Sequence, residues 1–173
     1  MATKNGHTAP LDDPTLRDLL RLDAAWSAVS RVFDRALGGT GVSLPQALAL
    51  TAVESAPQPL LLSGLATRLL QEAQSVTSLA DRLERAGLAR RVHDLPDRRA
   101  IRLELTEEGR QKVAEVRPLL QTAARQIYSD LGPEQARTLR DTLAALYNAC
   151  RSYPGVRLPE LPHAERETAV QQR

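Results

Sequence analysis

Two short clusters hold the side chains best suited to grip an anion or a base edge. One is Gln74, Ser75, Thr77, Ser78 and Arg82, with Ser63 a little upstream; the other is Asp97-Arg98-Arg99. Hydroxyl, amide and guanidinium groups bond to phosphate oxygens or base edges, and small hydroxyl residues let backbone N–H groups come close to phosphate. Covalent chemistry has no comparable candidate. No glycine-rich phosphate loop, nucleophile elbow or paired-carboxylate site stands out, so no enzyme is expected. His7, His93 and His163 are scattered and none sits beside a second ligand at metal spacing, so neither a metal nor a cofactor is expected. His93 reads as a strand residue, and Cys150 as a small buried apolar residue at the end of the last helix.

The elements around these clusters are legible from periodicity. Ser63 is placed to cap a short helix whose Leu65, Ala66, Leu69 and Leu70 fall at helical spacing. Gln71 to Gln74 interrupt it. A second helix follows with Val76, Leu79, Ala80 and Leu83 as its buried stripe and Gly87 at the stop position. Ser75, Thr77, Ser78 and Arg82 then fall on the outward side, with Gln74 at its start. Two helices across a short turn make a helix-turn-helix, whose second helix enters the major groove by its N-terminal residues. Thr77 and Arg82 are expected to matter most on that face.

After Gly87 the period changes to two. Leu88, Arg90 and Val92 alternate with Ala89, Arg91 and His93, and Ile101, Leu103 and Leu105 with Arg102 and Glu104. Asp94-Leu95-Pro96-Asp97 is the turn signal between them, which makes a two-stranded wing with Arg98 and Arg99 at or just past its tip. Arg99 is expected to reach the minor groove, with Asp97 orienting it or its neighbours. Thr106 before Glu107 and Glu108 opens a long helix with a hydroxyl cap and carboxylates facing the helix dipole.

The rest of the chain is helical. Asp13-Pro14 opens a helix that runs to Gly38-Gly39, Ser43 with Gln46 starts another through about Glu54, and Pro118 is expected to kink the long helix after Thr106. Gly132-Pro133 precedes a last helix bearing Leu139, Leu143, Leu146 and Tyr147. The terminal helices are more apolar than a small winged helix needs for its own core. A helix-turn-helix that reads two half-sites about 34 Å apart needs a two-fold partner, so these helices are expected to form a homodimer.

Composition sets the outer limits. The net charge of +2 is too small to argue for nucleic acid, but between Arg82 and Arg102 seven arginines face Glu84, Asp94 and Asp97, a local excess of +4. All five aromatic residues (Trp26, Phe33, Tyr128, Tyr147, Tyr153) lie outside 34–127, so the stacking platforms that RNA and single strands need are missing there. Duplex DNA is favoured. No run of eighteen apolar residues suggests a membrane span, the start MATKNGHTAP has no signal-peptide core, and a single cysteine leaves no disulfide framework, so a cytoplasmic protein is expected.

The string VTSLADRLERAGLARRVHDLPDRRAIRLELTEEG at 76–109 resembles the MarR (multiple antibiotic resistance regulator) family of bacterial transcription factors. It shows a recognition helix, a D-R-R wing and an L-T-x-x-G helix start in that order, and with weaker matches the likeness spans roughly 15–150. Ser78 departs from it, because family members often carry arginine after the threonine. The resemblance implies a dimeric regulator, most often a repressor, that binds a pseudo-palindromic duplex. It also implies a small, often aromatic or anionic effector bound where the dimer helices meet the reading head. Trp26, Ser30 and Phe33, at i, i+4 and i+7 of the first helix, are candidates to line that pocket.

The expected fold is therefore mostly α: a winged helix-turn-helix with a two-stranded β-wing and N- and C-terminal dimerisation helices. Residues 1–12 are expected to be a flexible arm and 13–153 a single domain, with the winged helix-turn-helix over about 43–105 and the dimerisation helices over about 13–38 and 107–151. Residues 154–173, with three prolines, read as a loosely ordered tail. The alternative function is a winged-helix module that docks on protein through the same arginines.

Overall fold

The computed structural model describes residues 13–56, 59–93 and 100–161. Six helices and a small sheet follow the order α1 (Pro14–Ala36), α2 (Leu44–Glu54), β1 (Leu60–Leu61), α3 (Leu62–Leu69), α4 (Ala73–Arg85), β2 (Ala89–His93), β3 (Ile101–Leu105), α5 (Glu107–Tyr128) and α6 (Pro133–Arg151). The fold is thus mostly α, as the periodicity predicts.

Local chemistry explains most of these boundaries. Asp13 caps α1 by accepting the N–H groups of Thr15 and Leu16 at 2.7 and 3.3 Å, and Pro14 takes the first turn, where its missing N–H costs nothing. At the start of α2 the Gln46 side chain reaches back to the Ser43 N–H at 3.0 Å. Helix α4 stops just before Gly87, whose φ of +70° allows the reversal in which Gly87 and Leu88 donate to the carbonyls of Glu84 and Leu83. Pro118 lies within α5 and does not interrupt its helical span.

Two features depart from the sequence reading. Ser63 does not cap α3; the helix starts two residues earlier than that cap would give, with Leu61 at the cap position. The sheet has three strands in the order β1-β3-β2, all antiparallel, because Leu60 and Leu61 pair with Leu103 and Arg102 and add a short strand beside the two-stranded wing.

The core has two parts. Ala49, Leu50 and Val53 of α2 pack with Leu65 of α3, Val76, Leu79, Ala80 and Leu83 of α4, Leu103 and Leu105 of β3 and Val113 of α5. A second cluster of Leu37, Leu44, Ala47, Val116 and Leu120 ties α1 and α2 to α5. Two polar bonds reinforce this junction: Lys112 Nζ donates to the Thr40 carbonyl at 2.7 Å, and Arg117 pairs with Glu54. Helices α1 and α6 bury no residue fully, and Leu16, Leu19, Leu20, Trp26, Leu139, Leu143 and Leu146 are exposed. Cys150 is exposed too, against the expectation of a buried residue, because no other element among the described residues covers that face of α6.

Residues 154–161 carry no helix or strand but are tied along α6. Tyr147 Oη donates to the Pro159 carbonyl at 3.0 Å, Arg151 Nε to the Leu158 carbonyl at 3.3 Å, and Arg151 pairs with Glu160 at 2.8 Å.

Candidate nucleic-acid interface

Helix α4 is divided lengthwise. Val76, Leu79, Ala80 and Leu83 are buried against the core, while Gln74, Ser75, Thr77, Ser78, Arg82 and Arg85 are exposed. With 3.6 residues per turn, Gln74, Ser78 and Arg85 fall along the middle of the exposed face. Ser75 and Arg82 take one flank, and Thr77, Asp81 and Glu84 take the other. The single apolar stripe therefore holds the whole outward set in one orientation.

The short connection before α4 controls its entry angle. Leu70 adopts the left-handed conformation (φ 54°), with its N–H on the Thr67 carbonyl and the Gln71 N–H on the Ala66 carbonyl. Glycine usually fills such a position, because an L side chain there costs about 1–2 kcal/mol. The turn also lets α4 begin at Ala73, so the polar interruption is shorter than Gln71–Gln74 and Gln74 lies in the first turn.

The hydroxyls on α4 are oriented. Thr77 Oγ1 donates to the Ala73 carbonyl at 2.9 Å and Ser78 Oγ to the Gln74 carbonyl at 3.2 Å. Their protons are engaged along the helix, so they present acceptor lone pairs outward. Such acceptors suit the amino edges of adenine or cytosine better than phosphate oxygens. Ser63 is exposed on α3, where its carbonyl takes the Thr67 hydroxyl at 3.1 Å.

The arginines sort into engaged and available. Arg90 pairs across the wing with Glu104, its register partner. Arg91 bonds Asp81 and Glu84 of α4 at 2.6 and 2.8 Å. Arg102 donates to the Pro59 carbonyl at 3.3 Å. Burial opposes the charge on Arg91, but its hydrogen bond to Asp81 and the attraction of Asp81 and Glu84 outweigh that, and its pKa is raised. Arg82 makes no pair with a described residue, and Arg85 only returns Nε to the Asp81 carbonyl at 3.2 Å. The local excess of +4 overstates the free cationic charge, because Asp81 and Glu104 lie outside the counted group and take two of its arginines. Arg85, exposed beside Ser78, belongs to the seven arginines counted above but is not among the expected contact residues, and Arg68, exposed on α3, is in neither group. For Arg68 the only sequence signal is a basic residue on the exposed side of its helix. Asp97, Arg98 and Arg99, with the turn that begins at Asp94, lie outside the described residues, as do His7 and His163.

The root of the wing is locked to α5. Thr106 Oγ1 donates to the Gly87 carbonyl at 2.7 Å and accepts the Gly109 N–H at 3.0 Å, while the Thr106 N–H donates to the Leu88 carbonyl at 3.2 Å. A Cβ at Gly109 would lie 2.9 Å from the Leu88 carbonyl carbon and closer still to its oxygen. Threonine followed by glycine three residues later is therefore a packing requirement where the long helix crosses the end of α4.

These features coincide with what comparison with known proteins finds. Residues 40–100 match the model of the MarR family. The HTH-type transcriptional repressor MdtR of Bacillus subtilis (strain 168) is 33% identical over 105 residues, which cover 60% of this chain and 67% of that protein. The chain belongs to the MarR family of transcriptional regulators. A second relative, the HTH-type transcriptional regulator TtmR of Methylorubrum extorquens (strain PA1), is 29% identical over 156 residues, covering 88% of this chain and 77% of that one. Among solved structures, the M. tuberculosis transcriptional regulator MOSR in complex with DNA superposes with a TM-score of 0.68 at 25% identity, covering 78% of this chain and 96% of that one. The matched proteins are regulators and not enzymes, and the family match spans α2 through β2 and stops just before β3.

Among the described residues, no three His, Cys, Asp or Glu side chains group to hold a metal, and no helix is long and apolar enough to cross a membrane. The candidate effector residues separate in the structure. Phe33 packs against the Leu37–Val116 cluster and Ser30 is half-buried, whereas Trp26 is 60% exposed. Trp26 opens onto a groove of about 790 Å³ shared with Leu70 of the α3–α4 turn, Arg140, Leu143 and Tyr147 of α6, and Leu158 of the following segment. Burial raises the pKa of the Tyr147 phenol, partly offset by Arg151.

Proposed function

We propose that this MarR-family regulator works as a homodimer joined through α1, α5 and α6, each copy placing α4 in the major groove of one half of a pseudo-palindromic duplex site. The observation that carries this reading is the lengthwise division of α4, with Val76, Leu79, Ala80 and Leu83 fully buried opposite the exposed Gln74, Ser75, Thr77, Ser78 and Arg82. The exposed leucines of α1 and α6 supply the reason for a partner, since large apolar side chains gathered on exposed helices commonly mark an interaction surface. Within this reading Ser63 approaches the backbone, Arg82 takes a guanine edge or a phosphate, and Arg98 and Arg99 reach the minor groove, held by Asp97. Such a regulator acts where the genome is, in the cytoplasm.

The regulator is a repressor that a small effector releases. A ligand in the groove beside Trp26 would touch α6 and the α3–α4 turn together, so it could favour one spacing of the two reading heads over another. An effector shifts that equilibrium only by its difference in affinity for the two spacings, typically about 1–3 kcal/mol. The residues 13–153 then act as one unit, with the reading head over about 43–105. Mobility shift with the duplex upstream of its own gene tests the function. A shifted species that competes away with the same duplex, and not with unrelated duplex at equal mass, is expected; no shift at any salt concentration would favour a protein-docking module.

A further inference from the structure

Arg91 counts, by sequence, among the cations available for phosphate, but the structure gives it another task. It occupies the third position of β2, opposite Leu103, and its side chain is only 19% exposed. Nη1 donates to Glu84 Oε2 at 2.8 Å, while Nη2 reaches Asp81 Oδ1 at 2.6 Å and the Thr77 carbonyl at 3.3 Å. Its own backbone N–H donates to Glu84 Oε1 at 2.9 Å. Thr77, Asp81 and Glu84 stand at i, i+4 and i+7, so one wing residue is bound to successive turns along a single flank of α4.

We propose that Arg91 is a positioning residue: it fixes the angle between the wing and α4, so that both elements fit adjacent grooves of one duplex at once. The inference rests on the reading of α4 and the wing as the two DNA-contacting elements. Its physical basis is the guanidinium itself. A planar fork of five donors can hold two carboxylates and a carbonyl at fixed angles, whereas an ammonium on a flexible stem is a point charge that cannot. Arg91 also cancels part of the negative charge that Asp81 and Glu84 bring to the flank of a helix meant to approach phosphate. Arg90, its neighbour, lies on the other side of β2 and pairs with Glu104 alone, so it cannot substitute.

A phosphate contact and a positioning clamp predict opposite signs at Glu84. If Arg91 served phosphate, Glu84→Ala would free it and remove a repulsive carboxylate, and binding would tighten. As a clamp, Glu84→Ala loosens the wing, and affinity for the duplex upstream of its own gene falls about tenfold or more although a negative charge has been removed. Arg91→Lys keeps the charge, so a phosphate contact would survive with little change; the clamp predicts a similar tenfold loss. Thermal unfolding of each variant shows that the fold persists. Tighter binding of Glu84→Ala, or wild-type binding of Arg91→Lys, overturns the proposal.

A second measurement does not depend on DNA. Spin labels at Ser75→Cys and His93→Cys, in a Cys150→Ser background diluted with unlabelled chain, report the distance from α4 to the wing. A narrow distribution that broadens with Arg91→Lys and with Glu84→Ala is expected. Equal widths in all three proteins refute the clamp even if the chain binds no duplex, and absence of DNA binding with the expected broadening would refute the functional reading instead.

Discussion

Gly109→Ala should be the most damaging single-methyl change at the junction of the reading head and α5. The added Cβ would sit closer than 3.0 Å to both the carbon and the oxygen of the Leu88 carbonyl, and neither can rotate away because both are backbone. Relief requires α5 to move away from the end of α4 by about 1 Å, the shortfall from any tolerated Cβ approach. Two bonds cross that gap: Thr106 N–H to the Leu88 carbonyl and Thr106 Oγ1 to the Gly87 carbonyl. Losing both costs about 2 kcal/mol at roughly 1 kcal/mol each, and overpacking a closed site adds about 1–3 kcal/mol. The expected loss is therefore about 3–5 kcal/mol, a large share of the ~5–15 kcal/mol that holds a domain together. For a chain of this size it lowers Tm by roughly 6–20 °C, at ~2–4 °C per kcal/mol. Urea and thermal unfolding at fixed protein concentration measure it. Gly64→Ala is the control, because the one tight contact of the added methyl is the tip of the Leu60 side chain at 3.1 Å and the change gains helix propensity, so it should stay within about 1 kcal/mol of wild type. A loss below about 1 kcal/mol at Gly109 would show that the close approach at Leu88 is not what requires glycine there.

Further outcomes follow from the same geometry. Gly87→Ala should cost about 1–2 kcal/mol through its positive φ alone, since nothing lies within 4 Å of the new methyl; urea midpoints check this, and Gly87→Asn should recover part of the loss. Arg82→Ala should either relax preference at one position of each half-site or weaken all duplexes alike, and binding-site selection separates a base contact from a phosphate contact. Paired Leu19→Glu and Leu143→Glu should convert the dimer to a monomer with its helix content retained, as sedimentation and circular dichroism would show; a stable dimer in that variant would place the interface elsewhere. Two backbone N–H bonds hold the exposed Asp13 carboxyl below its ordinary pKa. A lowered folded pKa gives stabilisation that is complete above the unfolded value and lost as pH falls through the folded one. The start of α1 should thus fray on acidification, and Asp13→Asn should remove that pH dependence in amide exchange at Thr15 and Leu16.

Much of the fold was legible because it is local. The Asp13-Pro14 start, the apolar stripe of α4 and the Gly87 stop each depend on residues within two turns of one another, and the structure places them where the spacing does. What escaped was either too short or too distant. Two residues, Leu60 and Leu61, cannot display a period of two, so β1 carried no strand signal. Leu70 takes a left-handed turn that leucine does not advertise, and the core contacts of α3 and α4 impose it. The arginine clamp needs carboxylates seven and ten residues away on a different element, which no charge count along the chain reveals. For the effector residues, helical spacing placed Trp26 and Phe33 one above the other, but the packing of α1 against α2 and α5 half-buries Phe33 against the second cluster and leaves Trp26 facing the groove.

If two copies of α4 read one duplex from its major groove, binding-site selection from random duplexes, followed by guanine N7 methylation interference on the selected site, will show it. Two inverted half-sites about one helical turn apart, interference at major-groove guanines in both, and two chains per duplex are expected. A single unpaired site with one chain bound, or interference confined to the phosphate backbone with no selected sequence, would contradict it.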